Sequence, residues 1–167
     1  MLILSLDPSL SSTGFAIIDD SNKVILHKGK YNTSSKDGTT DDRIQIILHH
    51  LHSLCCLYNI KIVVLEDGFV GKNMQSSLAL SALRGAIIAY FRWNYFKVIH
   101  NQPKEIRKNF GLKGNATKEE VSQEVLKYYP NLENDIGPYS DKANKNKTSD
   151  IYDAISIGLS YILNLEE

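Results

Sequence analysis

The sequence opens with Met1-Leu-Ile-Leu-Ser-Leu-Asp7-Pro-Ser-Leu-Ser-Ser-Thr13-Gly14, an apolar run that ends in a carboxylate and continues into turn-forming residues. This pattern predicts a buried β-strand that carries Asp7 at its tip. Asp-Pro often does no more than open a turn, so the carboxylate has two interpretations, a turn residue or a reactive group. A second apolar run, Ile60-Lys-Ile-Val-Val-Leu65-Glu66, also ends in an acid. Two strand ends that carry acids favour one shared site.

The composition is typical of a folded globular protein. The chain has 167 residues, of which 43% are hydrophobic and 23% charged, and this length fits a single domain, 1–167. We expect a cytoplasmic protein, because no apolar stretch approaches the roughly 18 residues of a membrane span and the first strand lacks signal-peptide features. The adjacent Cys55 and Cys56 lie in a helical pattern, which predicts reduced packing residues.

Charge is unevenly distributed along the chain, although the formal net charge is +0. Between residues 84 and 118 the only acid is Glu105, whereas the basic residues are Arg84, Arg92, Lys97, Lys104, Arg107, Lys108, Lys113 and Lys118. Such a segment is typical of a surface that contacts nucleic-acid phosphates. It is also compatible with an ordinary solvated face.

The order of strand and helix patterns predicts an α/β domain. Three short strands with tight connections come first and form an antiparallel meander, over 1–7, 14–19 and 23–30. A helix capped by Asp41 or Asp42 follows, and the strand that ends at Glu66 comes next.

The second half of the pattern is mostly helical. The predicted elements are a long helix over 75–93, a strand over 96–99, a short helix from 104, a helix over 117–129, a flexible insertion at about 130–147, and a final helix that Thr148 and Ser149 cap. The 75–93 helix is apolar around most of its circumference. We therefore expect it to lie in the centre of the core or to be shared with a partner subunit.

Two acids, Asp150 and Asp153, lie three residues apart in the first turn of the final helix. This spacing places both on one side of the helix, in line with its core-facing stripe. Acids in a first turn also complement the helix dipole, which is the alternative reason for their presence. Four carboxylates at one sheet edge, with Asp7 and Glu66, would suit Mg²⁺ or Mn²⁺.

These residues resemble motifs of the RuvC-type Holliday junction resolvases, which belong to the ribonuclease-H-like superfamily. The similarity covers nearly the whole chain and keeps the family's order and spacing. Its motifs are Asp7-Pro-x-x-x-x-Thr13-Gly14, Glu66-x-x-Phe69-x-x-Lys72-Asn73, Arg84-Gly85, Ile106-Arg107, Ala116-x-Lys118 and Asp150-x-x-Asp153-Ala154. Each motif is weak by itself, and the set together is specific.

The resemblance implies a ribonuclease-H-like mixed five-stranded sheet, with three antiparallel strands followed by parallel additions, flanked by helices. It implies a homodimer that binds four-way DNA junctions and nicks two opposed strands by hydrolysis with Mg²⁺, for which Mn²⁺ can substitute, and with two ions per site. The residues matching the catalytic and metal-binding acids are Asp7, Glu66, Asp150 and Asp153, and Lys118 matches a basic catalytic residue. The expected DNA-binding residues are Phe69, Lys72, Asn73, Arg84, Lys104, Arg107, Lys108 and Lys113.

Two departures from the family pattern concern specificity. Ser9 stands where bacterial members usually carry Gly, and the stretch between Lys118 and Asp150 is longer than in the bacterial pattern. These departures leave the cleavage sequence and a helicase partner open, and they are compatible with a divergent, phage-encoded member.

Two other classes of function remain as alternatives. The first is an actin-like or sugar-kinase-like ATP-binding domain, whose phosphate loop is similar to Asp7-x-x-x-x-x-Thr13-Gly14. Such proteins need two lobes to enclose a nucleotide, and this chain has room for one. The second is a junction-binding module without catalysis, which would gain from losing four negative charges beside DNA phosphates.

Overall fold

The computed structural model describes residues 1–67, 74–142 and 147–166 and contains one five-stranded mixed sheet. The strands are β1 (Leu2–Asp7), β2 (Ser12–Asp19), β3 (Ile25–Asn32), β4 (Ile62–Glu66) and β5 (Lys97–Asn101). The helices are α1 (Thr40–Leu57), α2 (Met74–Trp93), α3 (Pro103–Asn109), α4 (Lys118–Tyr128), α5 (Leu132–Ile136) and α6 (Ser149–Asn164). A short 3₁₀ turn, Ser35–Asp37, precedes α1.

The strand order is β3-β2-β1-β4-β5, so β1 lies in the middle of the sheet. β1 pairs antiparallel with β2 and parallel with β4, and β4 pairs parallel with β5. The meander followed by parallel additions is the predicted fold class, which is confirmed. Central position explains why β1 is a continuous apolar run, because a strand covered on both faces has no polar side.

Successive residues of β1 point to opposite faces of the sheet and enter two separate cores. Ile3 packs in the core that is formed with α3, α4 and α6, whereas Leu4 and Leu6 pack in the core formed with α1 and α2. The helices therefore cover both faces. None of the helices in the described part of the chain is long and apolar enough to cross a bilayer.

The helix that lies in the centre of a core is α6. Residues 149–162, fourteen of the helix's 16 residues, are buried. In α2, by contrast, the buried residues are Leu83, Ile87 and Phe91, one stripe at a spacing of four residues, while the Met74 and Leu78 side chains are 77% and 65% exposed. Of the two alternatives for this helix, a central place in the core is therefore wrong, and sharing with a partner subunit stays a prediction.

Of the two predicted helix caps, that of α1 is wrong and that of α6 is correct in position. Thr39, rather than Asp41 or Asp42, is the N-cap of α1, and Asp42 is the third helical residue, whose side chain accepts from the Thr39 backbone N–H in a capping box. Thr148 is the N-cap residue of α6, as predicted, but its hydroxyl donates to the Pro138 carbonyl and makes no capping hydrogen bond.

The predicted insertion at about 130–147 contains structure that the sequence pattern did not indicate. Helix α5 lies within it, and Leu132 of this helix is buried against α4 and α6 neighbours in the first core. Residues 143–146 lie outside the described residues. The flexibility of the segment stays a prediction. Cys55 is buried, as expected of a packing residue, whereas Cys56 is exposed, so the prediction of a packing role is wrong for Cys56.

Close contact between α6 and the sheet requires glycine at two positions. A Cβ atom on Gly14 would lie 1.9 Å from the Asp150 carbonyl oxygen, and one on Gly158 would lie 2.6 Å from the Ser5 hydroxyl. Real Cβ atoms do not approach other heavy atoms this closely, so larger residues would push α6 away from β1 and β2.

We expect Gly158→Ala to lower the free energy of unfolding by about 1 to 3 kcal/mol, the usual cost of overpacking. Gly85→Ala is the matched control, because Gly85 is also helical and a Cβ there would meet nothing within 4 Å. Alanine at position 85 should be neutral or stabilise by about 0.5 to 1 kcal/mol. Chemical denaturation measures both variants. Equal destabilisation by the two would contradict the close contact of α6 with the sheet.

Candidate active site

Asp7 and Glu66 come to one edge of the sheet through the pairing of β1 with β4. The parallel register places Leu6 beside Leu65, and each strand continues by one residue into its acid. The carboxyl ends of adjacent parallel strands meet at the same edge, which is where ligands bind in open α/β sheets. The prediction that two strand ends share a region of the surface is confirmed by this register.

Asp150 and Asp153 reach the same edge from the first two turns of α6. Gly14 pairs with Asp7 across β1 and β2, and the absence of a side chain at Gly14 lets the Asp150 backbone approach. Asp150 is 4% exposed and Asp153 is 9% exposed. The inward orientation predicted from their spacing is therefore correct.

Two lysines form ion pairs with the α6 acids. Lys118, the first residue of α4, pairs with Asp153 Oδ2, and Lys147 Nζ lies 2.7 Å from Asp150 Oδ1. Sequence reasoning found no structural partner for Lys118, because Asp153 is 35 residues away in the chain. It missed Lys147 altogether, since nothing in an Asn- and Lys-rich segment separates one lysine from the others.

Ser12 is a second residue of the site that the sequence pattern did not single out. Its hydroxyl donates to Asp150 Oδ2 at 2.6 Å. The loop that leads to it is fixed at its base by Thr13, whose hydroxyl donates to the Ser9 carbonyl at 2.8 Å. The Thr13 side chain therefore has a structural reason to occur in the Asp7 motif.

A narrow cleft of about 20 Å³ lies between the sheet edge, α3, α4 and α6. Its lining residues include Glu66, Arg107, Lys118 and Asp153. The cleft thus contains carboxylates and basic groups side by side, an arrangement that a hydrolytic site acting on phosphate would need.

The carboxylates perturb one another because they are crowded and withdrawn from water. Burial raises the pKa of Asp7 to about 8, with a further contribution from the negative charge of Asp153 and opposition from the Lys118 ammonium group. Burial also raises the pKa of Glu66, and Lys118 and Asp153 act on it in opposite directions. Perturbed acids in a cleft are typical of functional sites.

Asp153 and Lys118 also shift each other's pKa values. Burial raises the pKa of Asp153, against the effect of Lys118. Burial opposes the charged form of Lys118, but the charges of Asp153 and Asp7 outweigh it, so the pKa of Lys118 is raised above its ordinary value. The ammonium group is therefore charged throughout the neutral range.

The donor set fits a hard divalent cation in its chemistry. Carboxylate oxygens are the ligands that Mg²⁺ and Mn²⁺ prefer, and mutual repulsion among these acids is what a cation relieves. Within residues 1–67, 74–142 and 147–166, however, no three acid, His or Cys side chains are gathered tightly enough to hold a metal ion as they stand. Asp150 and Asp153 instead use oxygen atoms to bind lysines.

The predicted DNA-binding residues occur in two different settings. Lys104, Lys108 and Lys113 are exposed on and after α3. Arg84 and Arg107 have structural partners: Arg84 donates to the Glu66 carbonyl, and Arg107 donates to the Ala116 carbonyl at 2.6 Å and to the Pro103 carbonyl at 2.7 Å. Phe69, Lys72 and Asn73 lie outside the described residues. DNA contacts by all of these residues stay predictions.

Comparison with known proteins identifies the family. The family model described as crossover junction endodeoxyribonuclease RuvC matches residues 3–160. The chain belongs to the RuvC family. The resemblance that was inferred from the motifs is confirmed by this match.

Relatives in the RuvC family are similar over most of their length. A protein named crossover junction endodeoxyribonuclease RuvC from Prosthecochloris aestuarii is 30% identical over 165 residues, which cover 98% of this chain and 82% of that protein. Another with the same name, from Chloroherpeton thalassium, is 34% identical over 129 residues, or 76% of this chain and 69% of that protein.

Solved structures of RuvC-family and related resolvases share the fold. The T. thermophilus RuvC structure in complex with a Holliday junction substrate has a TM-score of 0.77 and 16% identity and covers 99% of this chain and 96% of that chain. The Fowlpox virus resolvase, in complex with substrate Holliday junction DNA, has a TM-score of 0.62 and 20% identity, with 100% of both chains covered. At these identities the likeness concerns the fold alone.

The raised pKa of Asp7 predicts how the stability of the metal-free protein varies with pH. The unfolded chain releases the Asp7 proton near pH 4, whereas the folded chain keeps it until about pH 8. The folded state therefore binds more protons in this window, and its stability falls as pH rises across it. Asp7→Asn removes this contribution, so its melting temperature relative to wild type should increase from pH 5 to pH 8.5.

Thermal melts in EDTA at these two pH values measure the effect. Asp141→Asn is the control, because Asp141 is exposed and lies outside the cleft. If the difference in melting temperature between Asp7→Asn and wild type is the same at both pH values, the Asp7 carboxyl is already ionised in the folded protein at pH 5.

Proposed function

We propose that this protein is a structure-selective DNA endonuclease that resolves four-way (Holliday) junctions. The observation that carries this proposal is the convergence of four acids and Lys118 at one sheet edge. The acids come from β1, β4 and α6, and each matches an acid of the family's sequence motifs. Membership of the RuvC family supports the reaction, which is hydrolysis of a DNA phosphodiester in each of two opposed strands.

The proposed metal ligands are Asp7, Glu66, Asp150 and Asp153, with Mg²⁺ as the natural cation, Mn²⁺ as a substitute, and two ions per site. When bound, such ions lower the pKa of an attacking water and stabilise the leaving oxygen of the displaced strand. The carboxylates of this chain supply the negative charge and the oxygen atoms that hold the ions. The crowding that raises the pKa of Asp7 supports this assignment, because cations would relieve it.

Lys118 is proposed to bind and orient the scissile phosphate. Its side chain is 54% exposed although it pairs with Asp153, so the ammonium group is accessible from the cleft. The charge of Lys118 is maintained by neighbouring acids, and a phosphate oxygen is a suitable additional acceptor.

The proposed partner is branched DNA. Exposed Lys104, Lys108 and Lys113 lie on the chain between β5 and α4, beside the cleft that Arg107 and Lys118 line. Lysines in such a position contact phosphates and contribute affinity without sequence preference. Phe69, Lys72 and Asn73, which follow β4 in the sequence, are proposed to contact the branch point. Arg84 and Arg107 are proposed to support the cleft. A bacterial or phage-infected cytoplasm is the proposed location.

A homodimer is proposed because paired nicking needs two active sites. The apolar surface of α2 supports this assembly: Met74 and Leu78 are exposed, and two-fold contacts bring the same surface of each subunit together. A helix that buries one stripe in its own core and exposes a second apolar surface is typical of an interface between subunits.

Two alternatives are less well supported. An ATP-binding domain is disfavoured by the match to the RuvC family over residues 3–160. A junction-binding module without catalysis is disfavoured by the set of four acids, since a protein that only binds DNA would gain affinity from losing negative charge beside phosphate.

Cleavage of a labelled four-way junction tests the proposal. We expect Mg²⁺-dependent paired nicks in the junction and none in a linear duplex of the same sequence. Asp7→Asn should reduce the single-turnover rate by at least about a thousandfold, because the variant keeps the side-chain shape but loses charge at the metal site. Junction affinity measured in Ca²⁺ should be unchanged or higher, because a negative charge beside phosphate is removed.

Asp141→Asn again serves as the control and should cut at the wild-type rate. Wild-type cleavage in excess EDTA would refute the metal-dependent mechanism. Equal cleavage of the junction and the duplex would refute structure selectivity.

Sedimentation measurements of the oligomeric state test the proposed dimer. Leu78→Arg should shift the protein from dimer to monomer at micromolar concentration, since it places a charge on the apolar surface of α2. Leu57→Arg is the control, because Leu57 is 77% exposed on a different helix, α1. A wild-type monomer that cuts both strands of a junction symmetrically would overturn the proposal.

A further inference from the structure

Both carboxylate oxygens of Asp150 are occupied by side chains of this protein. The Ser12 hydroxyl donates to Oδ2 at 2.6 Å, and the Lys147 ammonium lies 2.7 Å from Oδ1. The Asp150 side chain is 5% exposed, so it has little access to water that could replace these partners. Both oxygens of Asp150 therefore have partners within this protein before any metal ion binds.

Lys147 is held where it can form this contact. Lys30 Nζ, from β3, donates to the Lys147 carbonyl at 2.6 Å. The next residue, Thr148, is also fixed, because its hydroxyl donates to the Pro138 carbonyl at 2.6 Å and accepts from the Ser140 backbone N–H at 2.9 Å. The Lys147 side chain is only 34% exposed. The Lys147–Asp150 ion pair is therefore partly buried and held in place by neighbouring hydrogen bonds, unlike a solvated pair on the surface.

A lysine at this position and a divalent cation cannot both use the same oxygen of Asp150 without strong repulsion. Two positive charges within a few ångströms repel strongly where burial lowers the effective dielectric constant. Lys118 pairs similarly with Asp153, but it belongs to the family motif, whereas Lys147 lies in the stretch that is longer in this chain than in the bacterial pattern.

We propose that Lys147 is an internal counterion that occupies the cation side of Asp150 and is displaced when a divalent metal binds. It is a positioning residue, which acts through Asp150. It stabilises the metal-free protein and weakens metal binding. Lys147 therefore raises the concentration of metal that is needed to fill the site. This inference rests on the proposed function only in assigning Asp150 as a metal ligand.

Titration with Mn²⁺ in the absence of DNA, followed by calorimetry, tests this role. Lys147→Met should bind Mn²⁺ about three- to tenfold more tightly than wild type, the effect expected from one partly buried ion pair. Its melting temperature in EDTA should be lower than that of wild type, and the increase on adding Mn²⁺ should be larger. Lys147→Arg retains the positive charge and should bind Mn²⁺ like wild type.

Lys142→Met is the matched control, because Lys142 is an exposed lysine of the same segment. It should leave Mn²⁺ binding unchanged, which separates the ion pair from the effect of total charge. Lys147→Gln provides a second neutral variant if Lys147→Met folds poorly.

Unchanged or weaker Mn²⁺ binding by a folded neutral variant would overturn the inference, and so would a wild-type protein that binds no Mn²⁺. Junction cleavage is measured separately on gels. A protein that fails to cut junctions but whose Lys147 variants bind Mn²⁺ more tightly would refute the proposed function and leave the role of Lys147 intact.

Discussion

The close approach of α6 to the middle of the sheet is the contact on which the rest of the structure depends. It needs glycine at 14, where the Asp150 carbonyl approaches, and at 158, where Ser5 does. Because Gly14 also pairs with Asp7, the contact that fixes the helix is the one that brings the first strand's acid to the helix acids. Packing and site geometry therefore have the same physical origin.

Electrostatics oppose this arrangement. Acids from three elements are forced together in a region that is poor in water, and burial raises the pKa of Asp7 to about 8. The chain offsets part of this cost with lysines, one at the start of α4 and one just before α6. Such compensation is common at functional sites, where local stability is lower than a purely structural arrangement would give.

Much of the fold and part of the site could be predicted from sequence, because both depend on regular patterns. Apolar runs that end in Asp7 and Glu66 predict adjacent strand ends, and the spacing of Asp150 and Asp153 predicts a shared helix face. Contacts between residues distant in the chain could not be predicted: Ser12 and Asp150 are 138 residues apart. The prediction of the N-cap residue of α1 was wrong because Thr39, Asp41 and Asp42 are all residue types that cap helices well, and local sequence does not decide between them.

The burial of α6 affects which parts of the protein can unfold locally. Amides in the interior of a helix with fourteen of 16 residues buried are expected to exchange with solvent mainly when the whole domain unfolds, whereas those of a half-exposed helix such as α2 are expected to exchange through local fluctuations. Asp150 and Asp153 are thus anchored to the part of the chain that opens last. The spacing of these two acids is therefore held by the same packing that keeps the domain folded.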